Sequence, residues 1–231
     1  MRRPWISITA LVIAVLAFIG GLFSYKTLRG QVLDLRADIA RRLPDPSLGH
    51  LHSDVRLWMI KSQLSRVEHP IIVMGDSIVE AALLPKEICG HPVINAGIGG
   101  TAIGFFKTYA PLIVNEANPE LVILSVGIND ATTNSQNELY FFRSAYLATL
   151  ESIRSPVAVV TITPTNDAAV NLATVSQFNR FIEGLAPSYS VIDSNKTLDA
   201  GMTVDGVHLN QSGYAIWNKS IERGIKAKLG C

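Results

Sequence analysis

The chain has 231 residues, a net charge of +1 and 48% apolar residues. That length allows one ordinary domain with additions, and the balanced charge gives no reason to expect a nucleic acid or a strongly acidic partner. Two cysteines, Cys89 and Cys231, lie far apart and outside any C-x-x-C pair, which excludes a zinc ribbon or a thioredoxin-like motif.

Residues 5–25 form a run without a charged side chain, flanked by Trp5 and Tyr25 and preceded by Arg2 and Arg3. Such a run spans a bilayer core of about 30 Å as a helix. A cleaved signal peptide is the competing reading. The run exceeds a usual signal-peptide core and no small-x-small cleavage site follows it, so a retained transmembrane signal anchor over 1–25 is preferred. Over 26–50 a stalk and linker is expected. Leu28, Val32, Leu35, Ile39 and Leu43 make one helical stripe, suited to packing on the chain's own domain or to self-association, before Pro44-Asp45-Pro46 breaks it. Ser53-Asp54 are placed to cap a further helix that ends before His69-Pro70.

From there to the end, over a catalytic domain set at 51–231, apolar β-branched runs alternate with amphipathic segments. Strands are expected at 71–74, 92–95, 121–126, 157–162 and 191–192, with helices from 77, through 105–113, over 138–153, over 169–185 and over 210–229. This alternation predicts a parallel five-stranded sheet in a three-layer α/β/α sandwich of flavodoxin-like order.

Four loops at one edge of such a sheet carry unusual residues: Gly75-Asp76-Ser77, Asn95-Ala96-Gly97-Ile98-Gly99-Gly100, Gly127-Ile128-Asn129-Asp130 and Asp205-Gly206-Val207-His208-Leu209. On its own the first is a turn with Ser77 as a helix cap. Together the four meet the needs of acyl transfer. A serine needs a base, for which His208 is the candidate, and the imidazole needs an orienting acceptor, for which Asp205 is placed. The oxyanion needs donors: the Ser77 and Gly100 backbone N–H groups and the Asn129 amide.

These blocks resemble those of the SGNH (GDSL-type) hydrolases, in order and spacing, over about Pro70 to Tyr214. The resemblance implies Ser77 as nucleophile, His208 as base, Asp205 as its partner, and Gly100 and Asn129 in the oxyanion hole. It implies a serine esterase without metal or other cofactor, acting on a small-molecule or polysaccharide ester. A short acyl group such as a carbohydrate O-acetyl is preferred because no broad apolar lid insertion is visible. An O-acyltransferase with the same site is the alternative, and a lipase or thioesterase a more distant one. Export to the periplasm or cell exterior, as a single-pass membrane protein, rests mainly on the resemblance. Lys26, Arg29, Arg36, Arg41 and Arg42 beyond the span would by count favour the opposite orientation. Flavodoxin-like order would bring Cys89 and Cys231 to one end of the sheet, so a bridge between them is a hypothesis. A bridge fits an exported domain, and two free thiols would fit the cytoplasm.

Other chemistries fit less well. Gly97-Ile98-Gly99-Gly100-Thr101-Ala102 matches G-x-G-x-x-A, but the next strand does not end in an acid placed for a ribose hydroxyl. There is no G-x-S-x-G elbow and no H-E-x-x-H. His50, His52, His69 and His91 are scattered, the first two reading as exposed linker histidines.

Overall fold

The computed structural model describes Tyr25, Thr27 and residues 47–132 and 138–231. The chain divides into two compact units, 1–51 and 52–231. In the first unit Tyr25 and Thr27 are helical. The anchor expected over 1–25 and the stalk expected over 26–50 otherwise lie outside the described residues up to position 47. Among the described residues no helix is long and apolar enough to cross a membrane.

The described elements begin with α1 (Ser47–Leu64), β1 (Ile71–Gly75), α2 (Ser77–Glu80), β2 (Glu87–Ile88), β3 (His91–Gly97) and α3 (Ile103–Val114). They continue with β4 (Leu121–Ser125), α4 (Glu138–Ser152), β5 (Val157–Val160), α5 (Leu172–Glu183), β6 (Ser190–Ile192) and α6 (Gln211–Leu229). A 3-10 turn, Asp130–Thr132, follows β4. Helix α1 begins at Ser47, earlier than the Ser53-Asp54 cap predicts, directly after the Pro44-Asp45-Pro46 break.

The sheet has six strands in the order β2-β3-β1-β4-β5-β6, not the expected five. Strands β3, β1, β4, β5 and β6 are parallel and keep the flavodoxin-like order, whereas β2 runs antiparallel to β3. The sheet is therefore mixed. The extra strand is half of a tight hairpin in which Ile88 pairs with His91 across Cys89 and Gly90. Both loop residues have positive φ, 54° and 80°, as a two-residue hairpin loop requires.

Side-chain alternation along the buried strands builds two cores, one on each face. Ile72, Met74, Val122, Leu124 and Val159 point to one face and pack with side chains of α1, α3, α4 and α5. Ile71, Val73, Leu121, Ile123 and Val160 point to the other and meet α2 and α6, whose Trp217, Ile221 and Ile225 recur at helical spacing. Helices thus cover both faces, as in a three-layer sandwich. Cys89 and Cys231 are joined by a disulfide with their Cα atoms 6.0 Å apart, tying the hairpin to the end of α6.

The register sets the level of the site loops. Gly75 pairs with Gly97 on one side and with Ser125 on the other. Three chains therefore leave the sheet at one height, carrying Ser77, the glycine turn and Asn129.

Candidate active site

Strand β1 ends where backbone must pass backbone. A Cβ on Gly75 would lie 2.0 Å from the Ser125 carbonyl oxygen, and one on Gly97 would lie 2.1 Å from the Glu80 nitrogen, so both positions need glycine. Asp76, not Ser77, caps α2: its carboxylate accepts the Ile78 N–H at 2.9 Å. Ser77 is the first residue of the helix and is half-buried. Burial drives the Asp76 carboxyl up to about 7, against the lowering effect of the Ile78 and Gly127 N–H groups. Burial likewise raises Asp130 to about 6. The Asp130 carboxylate accepts the Ile103 N–H at 3.0 Å, securing the start of α3 to the loop after β4.

The loop before α6 folds back on itself. Thr203 bridges Leu209, and the Val204 N–H donates to the His208 carbonyl at 2.8 Å. Inside this bend one Asp205 oxygen accepts the N–H groups of Val207 and His208, and the other lies 2.6 Å from His208 Nδ1. His208 Nε2 lies 2.8 Å from Ser77 Oγ. A neutral imidazole that donates from Nδ1 to Asp205 leaves Nε2 bare to accept the Ser77 hydroxyl. The His208 side-chain bond, followed by the His208 and Val207 backbone N–H groups, lowers Asp205 to about 2. With its side chain 52% exposed, Asp205 orients the ring rather than contributing an ion pair to stability.

Neighbouring segments hold this pair in place. Gly206 O accepts from Thr165 Oγ1 at 2.6 Å and from the Asn166 N–H at 3.0 Å, so the loop after β5 grips the histidine bend. The Tyr214 hydroxyl donates to Ile78 O at 3.0 Å, joining α6 to α2, and burial pushes its ionisation up to about 12.

The glycine turn is held from several sides. Asn95 Nδ2 donates to Val79 O at 2.7 Å and Ala82 O at 3.0 Å, while its Oδ1 accepts the Gly97 N–H. Arg56 of α1 donates from Nη2 and Nε to Gly97 O, at 2.8 and 3.0 Å. Glu80 accepts the Gly99 N–H, sits 3.4 Å from Arg56 Nε and is bonded to His52 at 3.1 Å. His52 is exposed, as expected, but it is a helix residue engaged with Glu80 and not a free linker histidine.

Of the residues singled out from sequence, Ser77, His208 and Asp205 form one continuous hydrogen-bonded chain. Asn129 Nδ2 donates to Thr101 O at 2.9 Å, tying its loop to the glycine turn and leaving one amide N–H for a ligand. Gly100 sits in that turn at φ 74°, and its predecessor Gly99 faces the serine, a Cβ there coming 3.6 Å from Ser77 Cβ. Arg56 and Glu80 were missed from sequence, and Asp76 and Asn95, though inside the singled-out blocks, were given no role of their own. Asp76 alone carried a signal, standing directly before a helix start as cap residues do.

Residues 73–216 match the family described as GDSL-like lipase/acylhydrolase, well over half of the chain. The chain belongs to that family. It is accordingly a carboxylic ester hydrolase. The acylhydrolase fold also recurs in solved structures. A lipase/acylhydrolase from Enterococcus faecalis has a TM-score of 0.59 at 22% identity, covering 69% of this chain and 96% of its own. A GDSL-like lipase from Bacteroides thetaiotaomicron has a TM-score of 0.58 at 20% identity, covering 74% and 98%. A catalytic mutant of an acetylxylan esterase from Geobacillus stearothermophilus has a TM-score of 0.53 at 19% identity, covering 68% and 94%. At these identities the likeness is one of fold. No curated protein matches the chain. The family match of this acylhydrolase begins at β1, after α1, so Arg56 and His52 lie outside it.

Proposed function

We propose that this acylhydrolase is a serine esterase that removes short acyl groups, such as O-acetyl groups on a carbohydrate, through an acyl-enzyme. The observation that carries the reading is the chain from Ser77 Oγ through His208 to Asp205, with contacts of 2.8 and 2.6 Å. Ser77 Oγ attacks the ester carbonyl carbon while His208 Nε2 takes its proton. The carbonyl oxygen becomes the oxyanion and is met by the Ser77 and Gly100 N–H groups and by Asn129 Nδ2. His208 returns the proton to the departing alcohol, and water repeats the sequence to free the acid and the serine. Asp205 holds the imidazole in the required tautomer throughout.

Two observations support a short acyl group and water as acceptor. The cavity beside Asn129, lined by Ile103, Asp130, Phe141 and Phe142, is about 300 Å³, small for a long chain. The His208 side chain is 41% exposed, which admits water where a transferase would exclude it. The acetylxylan esterase among the structures of like fold adds support for a carbohydrate ester. Attachment to a membrane by residues 5–25, with the catalytic unit outside the cytoplasm, is part of the same reading. The Cys89–Cys231 bridge supports it, since such bonds persist in oxidising compartments.

The full-length protein, purified in detergent, is expected to hydrolyse p-nitrophenyl acetate and to be labelled by a fluorophosphonate at Ser77. Absence of both turnover and labelling rejects the serine esterase. Labelling with little hydrolysis, but with acyl transfer to added xylooligosaccharide, selects the acyltransferase instead.

A further inference from the structure

The glycine turn can be accounted for group by group. The Gly97 N–H goes to Asn95 Oδ1, and Gly97 O receives two N–H bonds from Arg56. The Ile98 N–H goes to Gly75 O at 2.8 Å, and Ile98 O receives the Thr101 hydroxyl at 2.6 Å. The Gly99 N–H goes to Glu80. The next N–H in sequence, that of Gly100, has no acceptor among the described residues. Gly100 is exposed, so its N–H, unlike those of Gly97, Ile98 and Gly99, is not committed among the described residues and is open to an acceptor that arrives with substrate.

The holding groups divide into two kinds. Asn95, Gly75 and Thr101 belong to the sheet and the turn itself. Arg56 comes from α1, 41 residues before Gly97 and outside the segment that matches the family. Its side chain is partly buried, 15% exposed, and its Nε lies beside both Gly97 O and the Glu80 carboxylate. Glu80 in turn is the last residue of α2, the helix that begins with Ser77. One ion pair therefore grips both the carbonyl before Ile98 and the N–H after it, and it refers both to the helix bearing the serine. A planar, forked donor suits this task in a way an ammonium does not.

We infer that Arg56 and Glu80 are positioning residues for the oxyanion hole: together they fix the Gly97–Gly99 backbone so that the Gly100 N–H points to the developing negative charge. Helix α1 thereby becomes part of the active site, although it touches none of the reacting atoms. The inference rests on the serine esterase reading, and the experiment is arranged so that the two fail differently.

The test compares Arg56→Ala, Arg56→Lys and Glu80→Gln with wild type and with Ser77→Ala in the full-length protein. Binding of an alkylboronic acid, whose adduct with Ser77 mimics the tetrahedral intermediate, is measured beside steady-state kinetics. Arg56→Ala is expected to lower kcat about tenfold with KM changed less than about twofold, because a displaced oxyanion donor acts on the transition state alone. Affinity for the boronic acid should fall by the same factor as kcat. Arg56→Lys should fall between wild type and Arg56→Ala, and its result stands if the alanine variant does not fold. An unchanged kcat in Arg56→Lys and Glu80→Gln overturns the inference, as does a loss that appears in KM with boronic acid affinity retained. Retained turnover in Ser77→Ala instead overturns the esterase reading. An inactive Ser77→Ala beside a fully active Arg56→Ala overturns only the positioning role.

Discussion

His208 Nε2 stands 2.8 Å from Ser77 Oγ across 131 residues of sequence, the imidazole brought in by the loop before the last helix and the hydroxyl by the first residue of α2. Neither element packs its reactive group into a core, so the contact depends on the backbone ties around it. Replacing Ser77 by alanine is expected to lower kcat by about 10⁴-fold or more, as with other serine nucleophiles. Steady-state hydrolysis of p-nitrophenyl acetate, with fluorophosphonate labelling as a second readout, checks this.

Asp205→Asn should be milder than the same change in a buried triad. The carboxylate is half exposed, and water can replace part of its interaction with the imidazole. A fall in kcat of about 10- to 100-fold is expected, against about 10⁴ where the acid is buried. Because Asp205 is lowered to about 2, it stays ionised through the whole working range of the enzyme. Any stability it contributes is present above about pH 4 and is lost as pH falls towards 2. A loss of 10⁴ in kcat for Asp205→Asn would show that the exposure of this pair does not describe the working state.

Asp76 makes the opposite prediction. Its carboxyl is raised to about 7 by burial, so the folded protein keeps the proton that the unfolded chain releases near 4. Stability from this group is therefore full below about pH 4 and declines as pH rises to 7. Measured against Asp76→Asn, which does not titrate, the wild type should lose up to about 1.4 kcal/mol per pH unit across that window and run parallel above it. Urea unfolding of both proteins between pH 4 and 8 checks the slope; a constant difference would refute it.

The Cys89–Cys231 bond closes a long loop, with 142 residues separating its ends. Cys231→Ser should cost about 2–4 kcal/mol, largely by freeing the unfolded chain. Reductant should bring the wild-type unfolding midpoint down to that of the variant and leave the variant unmoved. A wild-type midpoint insensitive to reductant would mean that the bond is not formed.

Tyr146 offers a gain. Its hydroxyl is buried among the side chains of α4 and α5 with no hydrogen-bond partner among the described residues. Tyr146→Phe removes an unsatisfied polar group while keeping the ring, and should raise stability by about 1 kcal/mol. Thermal unfolding reads the effect, and a lower midpoint would indicate a partner for that oxygen.

Strands β1, β4 and β5 were legible because each is an apolar run feeding a glycine or polar turn, and β3 and β6 were legible from their short Val-Ile cores between turn residues. The residues of the candidate site were legible for a related reason: Ser77, Asn129 and His208 each stand at a strand exit or before a helix, in blocks whose order resembles that of a known family. Strand β2 was not, since Glu87-Ile88 is too short to show alternation and follows a Pro-Lys pair that reads as loop. Arg56 was not either. It stands between Val55 and Leu57 in a helix without a clear apolar face, and its bonds to Gly97 exist only once α1 has packed on the sheet. Contacts made by a side chain to a distant backbone leave no local pattern, which also hid Asn95 and Glu80.

The pairing of Gly75 with Gly97 and with Ser125 has a consequence for how this enzyme can diversify. The three loops depart from a common shelf whose height is decided by strand hydrogen bonds, not by the loops themselves. An insertion after Asn129 can therefore reshape the approach to the serine while the candidate site groups keep their spacing. Selection, or an engineer, can alter which ester is admitted without reopening the question of how it is cleaved.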